Sequence, residues 1–190
     1  DDTLNYVTVL MNPDTGLITV KKAIPCNGMA GVLEVNATGG KSPYLYSWNS
    51  GSFSVRNTFD TAVAGSYKVT IKDANGCTSF GIFTLVEPLP IKDSIVKGAD
   101  ASCFNSSDGL ADVYQTSGGT SPYFYRWYKG PNTYFGKTLT KVKSGKYYLV
   151  IADNNNCIKY DSVSIFEPSK LVPNIAIQKN IQCFDSLGTV

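Results

Sequence analysis

The chain contains a long internal repeat, and this feature restricts what it can fold into more than any other. The segment GGKSPYLYSW at residues 39–48 returns as GGTSPYFYRW at residues 118–127. The segment AGSYKVTIKDANGC at 64–77 likewise returns as SGKYYLVIADNNNC at 144–157. Self-similarity with a period of about 80 residues is typical of a tandem array in which each copy is one small module. The sequence therefore predicts modules whose role lies in being repeated.

The closing segments of the copies predict the domain boundaries. FTLVEP at 83–88 returns as VSIFEP at 163–168, and CFDSLGTV at 183–190 begins like the segments that follow Cys26 and Cys103. We therefore expect four parts: the closing strand of a preceding repeat at 1–13, a first repeat at 14–88, a second repeat at 89–168 and the start of a third repeat at 169–190.

Short stretches of alternating apolar residues indicate β-strands within each copy. Leu33 and Val35 alternate with polar residues, and Tyr67, Val69 and Ile71 do the same after a glycine. The Asn-Gly dipeptide that follows accepts positive φ, which predicts a hairpin turn. About seven such strands in about 80 residues predict an all-β fold of tandem, antiparallel, immunoglobulin-like β-sandwiches, one for each repeat.

Charge and hydropathy argue against two classes of partner. The 17 Lys and Arg residues nearly balance the 15 Asp and Glu residues and form no basic cluster, so we expect no nucleic-acid partner. No apolar run approaches the ~20 residues of a membrane span, so we expect no direct membrane insertion. The opening DDTLNYVTVL also lacks the features of a signal peptide.

The chain has five cysteines and no histidine. No two cysteines form the CxxC pair that zinc sites favour, so these widely spaced cysteines predict disulfides and an oxidising compartment. General-base catalysis most often employs histidine. We therefore expect no enzyme activity, no metal site and no cofactor.

Two aspartates, Asp73 and Asp153, recur at the start of the predicted hairpin turns. An aspartate in this place ordinarily accepts hydrogen bonds from nearby backbone N–H groups, so we interpret both as turn residues. A calcium ion bound in the turn is the alternative. A second possible calcium site lies at the junction between the repeats, near Glu87, Asp93 and Asp108. The simpler interpretation of this junction is that proline stiffens a short linker.

The aromatic residues predict both a core and a candidate binding surface. Trp48 and Trp127 lie on the predicted third strand of each sandwich, where such folds bury a tryptophan. Tyr67 and Tyr147 follow a glycine where these folds place a tyrosine corner. We expect these four residues in the core, although a sugar-stacking platform is an alternative for the aromatic strand. The second repeat adds four aromatic residues, some of which must face outward as an adhesive surface: Phe124, Tyr128, Tyr134 and Phe135.

Taken together, these motifs resemble the SprB-type repeats of very large gliding-motility adhesins of Bacteroidota. The resemblance rests on the order of the segments GG[KT]SPY[LF]Y[SR]W and [AS]GxY, the aspartate turns that end in Cys77 and Cys157, and the Glu-Pro closures. It implies immunoglobulin-like modules related to the polycystic-kidney-disease (PKD) type, on proteins exported by the type IX system and displayed as surface filaments. The chain departs from the pattern at Asn156, which replaces the usual glycine, and at 11–13, where MNP replaces Glu-Pro.

This resemblance favours a structural and adhesive repeat segment of a secreted filament at the bacterial cell surface, used in gliding motility and adhesion. Its expected partners are neighbouring repeats of the same chain and surface polysaccharide. The alternative is a carbohydrate-binding module of a secreted polysaccharide-degrading protein.

The sandwich topology limits how the cysteines can pair. The Gly-Gly loop and the aspartate turn should share one pole, which places Cys26 at the other, about 23 Å away along a seven-residue strand. Pairs within a repeat (Cys26 with Cys77, Cys103 with Cys157) and pairs across the Glu-Pro stretches (Cys77 with Cys103, Cys157 with Cys183) are then disfavoured. If repeats stack end to end, Cys26 instead meets Cys157. We predict that disulfide, with Cys77, Cys103 and Cys183 bonded to repeats outside the chain.

Overall fold

A computed structural model describes residues 16–175 of the chain. Within that range every regular element is a β-strand, and there is no helix that could cross a membrane. The predicted closing strand of a preceding repeat at 1–13, and Cys183 in the predicted start of a third repeat, lie outside the described residues. The predicted boundaries between repeats stay predictions.

The first repeat forms two antiparallel three-stranded sheets with an immunoglobulin-like strand order. Strands β1, β2 and β4 are neighbours in that order in one sheet, and β3, β5 and β6 in the other. This copy has six strands, where the sequence predicts about seven. Their bounds are Gly16–Lys22, Gly31–Ala37, Leu45–Trp48, Thr58–Ala62, Gly65–Lys72 and Thr78–Leu85.

The second repeat has the same strand order with one strand added. Strands β11, β8 and β7 form one sheet, and β10, β9, β12 and β13 form the other. Strand β10 is the addition, and it returns antiparallel beside β9 after a turn at Gly130, whose φ is +55°. The seven bounds are Lys92–Ala99, Gly109–Ser117, Phe124–Lys129, Asn132–Phe135, Thr138–Val142, Gly145–Ala152 and Ile158–Ile165.

Contacts between Cα atoms divide the chain into two compact units. The first unit contains the described residues up to Ser94, together with Gln115–Tyr125 and Val150–Tyr160. Its two sheets bury one apolar cluster, because alternate residues of each strand point inward. The buried residues of this cluster come from both sheets: Ile18, Leu33, Val35 and Ala62 from one, and Tyr46, Tyr67, Val69, Ile71, Phe83 and Leu85 from the other.

The second unit contains Ile95–Tyr114, Arg126–Leu149 and the described residues from Asp161 onward. It too is a sandwich, since a Cβ added to Gly109 in β8 would lie only 2.7 Å from Ile165 Cγ2 in β13 of the other sheet. Its buried residues again come from both sheets: Ala111, Val113, Leu139 and Val142 from one, and Trp127, Tyr147, Leu149 and Ile165 from the other.

Candidate functional site

A disulfide joins Cys26 to Cys157, with 5.6 Å between their Cα atoms and a sequence separation of 131. Both cysteines lie in the first unit. The predicted pair is therefore confirmed, and the two simpler pairing schemes are not formed. Cys77 and Cys103 carry free, exposed thiols.

The loop between β1 and β2 presents Cys26. The N–H of Met29 donates to the Cys26 carbonyl at 3.0 Å, which closes a tight turn, and Gly28 supplies the left-handed backbone that this turn needs. The Glu87 carboxylate accepts the Gly28 N–H at 2.6 Å. The Glu-Pro closure thus fixes the cysteine loop of its own repeat.

The same arrangement recurs in the second repeat, where the Glu167 carboxylate accepts the Asn105 N–H at 2.7 Å. Sequence reasoning assigned Glu87 only to a calcium alternative and did not identify this role. The repeated occurrence of a cysteine loop and a distant Glu-Pro in each copy was the signal that could have identified it.

The hairpin turn between β12 and β13 presents Cys157. One oxygen of Asp153 accepts the N–H groups of Asn155 at 2.8 Å and Cys157 at 2.9 Å. The other oxygen accepts the N–H of Thr120, in the neighbouring Gly-Gly loop, at 2.8 Å. Because Asp153 is only 1% exposed, its carboxylate serves as an internal brace for two loops. The turn interpretation of this residue is thereby supported.

Asp73 braces the corresponding turn of the first repeat. Its carboxylate accepts the N–H groups of Cys77 at 2.8 Å and Lys41 at 3.1 Å. Desolvation by burial acts to raise the pKa of Asp73, but the hydrogen bonds from backbone N–H groups outweigh it, and the pKa lies below its usual value. Within residues 16–175, no three Asp, Glu, Cys or His side chains group as a metal site would require.

Non-covalent contacts surround the disulfide. The Asn155 side-chain amide donates to the Pro25 carbonyl at 3.2 Å and to the Thr120 hydroxyl at 3.1 Å. The Gly119 N–H donates to the Leu89 carbonyl at 2.7 Å. A Cβ at Gly118 would lie 2.1 Å from the Pro90 carbonyl oxygen, so this close approach requires glycine.

An open cleft of about 480 Å³ lies beside the disulfide. Its lining is largely apolar and includes Met29, Leu89, Ile91 and Ile158.

The predicted tyrosine corners lie at the start of β5 and β12. The Tyr67 hydroxyl donates to the Val63 carbonyl at 2.8 Å, and the Tyr147 hydroxyl donates to the Lys143 carbonyl at the same distance. Both rings are buried, at 6% and 2% exposure. Each corner ties a core residue to the connection that precedes its strand.

The two tryptophans differ in burial. Trp127 is fully buried, and Tyr134 of the added strand β10 lies directly opposite it. Trp48 is partly buried, because the corresponding segment of the first repeat makes only an isolated bridge between Tyr46 and Ser54. Trp48 lines an open pocket together with Ser54 and Phe59.

The four candidate adhesive residues separate onto different faces. Tyr134 is half-buried and meets Tyr147 edge-on at 6.1 Å between ring centroids. Tyr128 stacks on Tyr148 at 5.3 Å between ring centroids. Phe135 is 78% exposed and Phe124 is 60% exposed.

The outer face of this sheet also carries cations. Lys146 Nζ lies 5.2 Å from the centre of the Tyr148 ring. Arg126 lies directly opposite Phe135 across the β9–β10 pair, on the same face as Tyr128 two residues later. Residues 126, 128, 135, 146 and 148 are called here the aromatic face.

Comparison with known proteins gives a family match and weak structural likenesses, two of which are described here. Residues 15–53 and 99–132 match the SprB repeat family. No curated protein matches the chain.

Among solved structures, the C-terminal 282-residue fragment of intimin, crystallised with the intimin-binding domain of the translocated intimin receptor, is 10% identical with a TM-score of 0.41. That similarity covers 85% of this chain and 64% of the intimin fragment, so the chain spans less than two thirds of its length. The Ig1 and Ig2 domains of DIP-gamma are 11% identical with a TM-score of 0.31, over 86% of this chain and 96% of that one.

Proposed function

Because the chain carries SprB repeats at 15–53 and 99–132, we propose that it is a structural and adhesive segment of a secreted cell-surface filament. We further propose that this filament is exported by the type IX secretion system and acts in gliding motility. The observation that best supports a mechanical role is the Cys26–Cys157 disulfide. The partners of the segment are neighbouring repeats of the same chain.

The disulfide changes the path by which the chain carries tension. Force applied to the two ends passes along the backbone to Cys26, crosses the S–S bond and leaves from Cys157. The 131 residues of sequence separation are bypassed, so strands β2 to β12 bear no covalent load. A segment built in this way transmits force without unravelling, as a stalk must.

The same bond supports an extracellular site of action. Structural disulfides persist in oxidising compartments such as the cell surface and are rare in the reducing cytosol. The recurring acidic residues have structural roles, because their carboxylates accept backbone hydrogen bonds. These residues are Asp73, Asp153, Glu87 and Glu167. These contacts favour a non-enzymatic role.

Surface labelling of intact producing cells tests this proposal. Antibodies raised against the purified chain should bind unlysed cells, and external protease should remove the signal. A deletion of the segment should reduce cell spreading while the rest of the protein is still exported. Labelling that appears only after lysis would contradict the proposal.

The aromatic face supports carbohydrate binding as a second candidate. Sugars stack on exposed aromatic rings, and the cations of Arg126 and Lys146 would favour an acidic polysaccharide. Affinity electrophoresis in a gel that contains alginate is a direct test. The double variant Tyr128→Ala, Phe135→Ala should lose retardation, whereas Tyr114→Ala, which removes a 74% exposed ring from the other sheet, should not.

A further inference from the structure

The second unit has a pocket of about 300 Å³ on the inner side of strands β9 and β10. Lys129 and Asn132 lie opposite each other across this strand pair, and Tyr134 lies opposite the buried Trp127. Because side chains alternate between the two faces of a sheet, these residues lie on the side away from the aromatic face. The other polar groups of the lining come from Ser107, Lys141 and Lys143. The pocket is therefore separate from the aromatic face.

The pocket carries an excess of positive charge. Three of its lining residues are lysines, and no acidic residue of the described chain lines it. None of these lysines forms an ion pair with a carboxylate among residues 16–175. Lys143 Nζ donates instead to the neutral side-chain oxygen of Asn105, at 2.9 Å. An anion in the pocket therefore meets ammonium groups whose charges are not paired.

Lys129 is held in place by neutral groups. Its ammonium donates a hydrogen bond to the Ser144 carbonyl and lies 5.1 Å from the centre of the Tyr147 ring. Its stem passes over the backbone of Gly145, where an added Cβ would lie 2.6 Å from Lys129 Cε. These contacts order the ammonium group without neutralising it.

Lys141 has an unusual backbone conformation. Its φ is +56°, in the left-handed region that residues other than glycine, asparagine and aspartate rarely adopt. It lies at a bulge of β11, where the register against β8 shifts between Leu139 and Val142. Bulges redirect side chains, and residues in strained conformations cluster at functional sites. The conformation of Lys141 thus points to a role for its side chain in the pocket.

The three lysines distinguish the second repeat from the first. When the tryptophans and the tyrosine corners of the two repeats are aligned, the first repeat has uncharged residues at these positions: Ser50 for Lys129, Thr61 for Lys141 and Val63 for Lys143. Thr61 does not have the left-handed conformation of Lys141. Since the first repeat has the same strand order without these cations, the fold does not require them.

We propose that this pocket binds an oxyanion carried by a sugar ring, the carboxylate of a uronic acid or the sulfate ester of a sulfated sugar. Lysine is a compact point charge with three donors, so it suits an oxyanion of either shape. Ser107 and Asn132 offer a hydroxyl and an amide to the ring hydroxyls, and the Tyr134 ring adds an apolar surface. The volume of about 300 Å³ is at the lower end of the range for small-molecule pockets, which fits one sugar unit.

Titration of the isotopically labelled chain, followed through its backbone amide NMR signals, tests this inference. Low ionic strength is used because salt screens exposed charges. Glucuronate, glucose 6-sulfate and glucose share one ring and differ in its anionic group. At least one of the two acidic sugars should shift the signals of residues 107, 132 and 141, and glucose should not. Inorganic sulfate and acetate should bind at least ~10-fold more weakly, because they lack the ring hydroxyls that hydrogen-bond to the protein.

Two variants remove single charges from the pocket. Lys129→Met keeps an apolar stem over Gly145, and Lys141→Asn places at the bulge a residue that accepts left-handed φ. Each should weaken the binding of the acidic sugar at least ~10-fold, because a charge-assisted hydrogen bond is lost. Lys141→Asn should also unfold at the same temperature as the wild type or at a higher one. Lys146→Met, which removes one charge from the aromatic face, is the matched control and should bind as the wild type does.

Four results would overturn the inference: signals that neither acidic sugar shifts, equal binding of glucose, equal binding of sulfate or acetate, or normal sugar binding by Lys129→Met and Lys141→Asn. The inference does not rest on the aromatic face. The double variant Tyr128→Ala, Phe135→Ala should bind the acidic sugar as tightly as the wild type does. Failure of the aromatic face and failure of this pocket therefore give different results, and neither depends on where in the cell the protein acts.

Discussion

Individual aspartate side chains connect loops in this chain by accepting hydrogen bonds from several backbone N–H groups. Asp153 accepts three backbone N–H groups from two loops, and Asp73 has the equivalent position in the first repeat. A buried donor that loses its acceptor costs about 1–3 kcal/mol. Side chains of this kind therefore contribute to stability in proportion to the donors they satisfy.

Asp153→Asn should destabilise the protein by on the order of 1–3 kcal/mol. The amide cannot accept at both of its ends, so either the Thr120 N–H or the Asn155 and Cys157 N–H groups lose their acceptor. Urea unfolding of the oxidised protein measures the change. Asp161→Asn, on an exposed side chain, is the control, and equal stability of the two variants would contradict the assignment.

Asp108 predicts a pH dependence of stability. Hydrogen bonds from the Ser102 and Ser106 side chains, with a further bond from the Ser102 N–H, lower its pKa from 3.8 to about 2. A carboxyl whose pKa is depressed on folding stabilises the folded state above its unfolded pKa and loses that contribution as the pH falls through its folded pKa. Asp108→Asn should therefore be less stable than the wild type at neutral pH.

Between about pH 4 and pH 2 the difference between these two proteins should disappear, since the wild-type carboxyl takes up its proton in that window. Unfolding free energies measured in urea at a series of pH values provide the comparison. Parallel curves for wild type and variant across this window would show that Asp108 has no such role.

At the level of strands, the second repeat shows what one additional β-strand does for the core. Strand β10 places Tyr134 opposite Trp127, and the tryptophan is fully buried, whereas Trp48 lacks an equivalent cover. Residues 49–57 of the first copy and 128–137 of the second differ in sequence. Local divergence has changed the burial of an otherwise equivalent residue.

Trp127→Ala should cost ~3–5 kcal/mol, the usual range for removing a large buried aromatic side chain. Trp48→Ala should cost less, because Trp48 is only partly buried. Thermal unfolding of the two variants, followed by far-ultraviolet circular dichroism, ranks them. A larger loss for Trp48→Ala would contradict the proposed effect of β10.

The strands and the aspartate turns could be predicted from the sequence because their signals are local and occur twice. Alternation identified β2 and β5, and the Asp-x-x-x-Cys segments identified the turns. The contact of Glu87 with Gly28 spans 59 residues and has no periodic signature, so it could not be predicted. The contact of Tyr134 with Tyr147 could not be predicted either, because the side of the sheet on which Tyr134 lies depends on the register of β10 against β9.

At the scale of the whole molecule, the Cys26–Cys157 disulfide is a covalent cross-link between residues 131 positions apart in sequence. A cross-link that closes a loop of this length removes much of the conformational entropy of the unfolded chain. The double variant Cys26→Ser, Cys157→Ser should therefore be less stable by ~2–5 kcal/mol. Calorimetry of the variant against the oxidised wild type measures this difference, and an unchanged midpoint would contradict it.

Pulling on single molecules from their two ends tests whether the disulfide carries tension past strands β2 to β12. In the oxidised protein, the residues between Cys26 and Cys157 should contribute no length when the repeats unfold. After reduction, the 131 residues of separation should add ~430–470 Å of contour length, at ~3.3–3.6 Å per residue. Equal contour lengths with and without reductant would show that the bond does not bear the load.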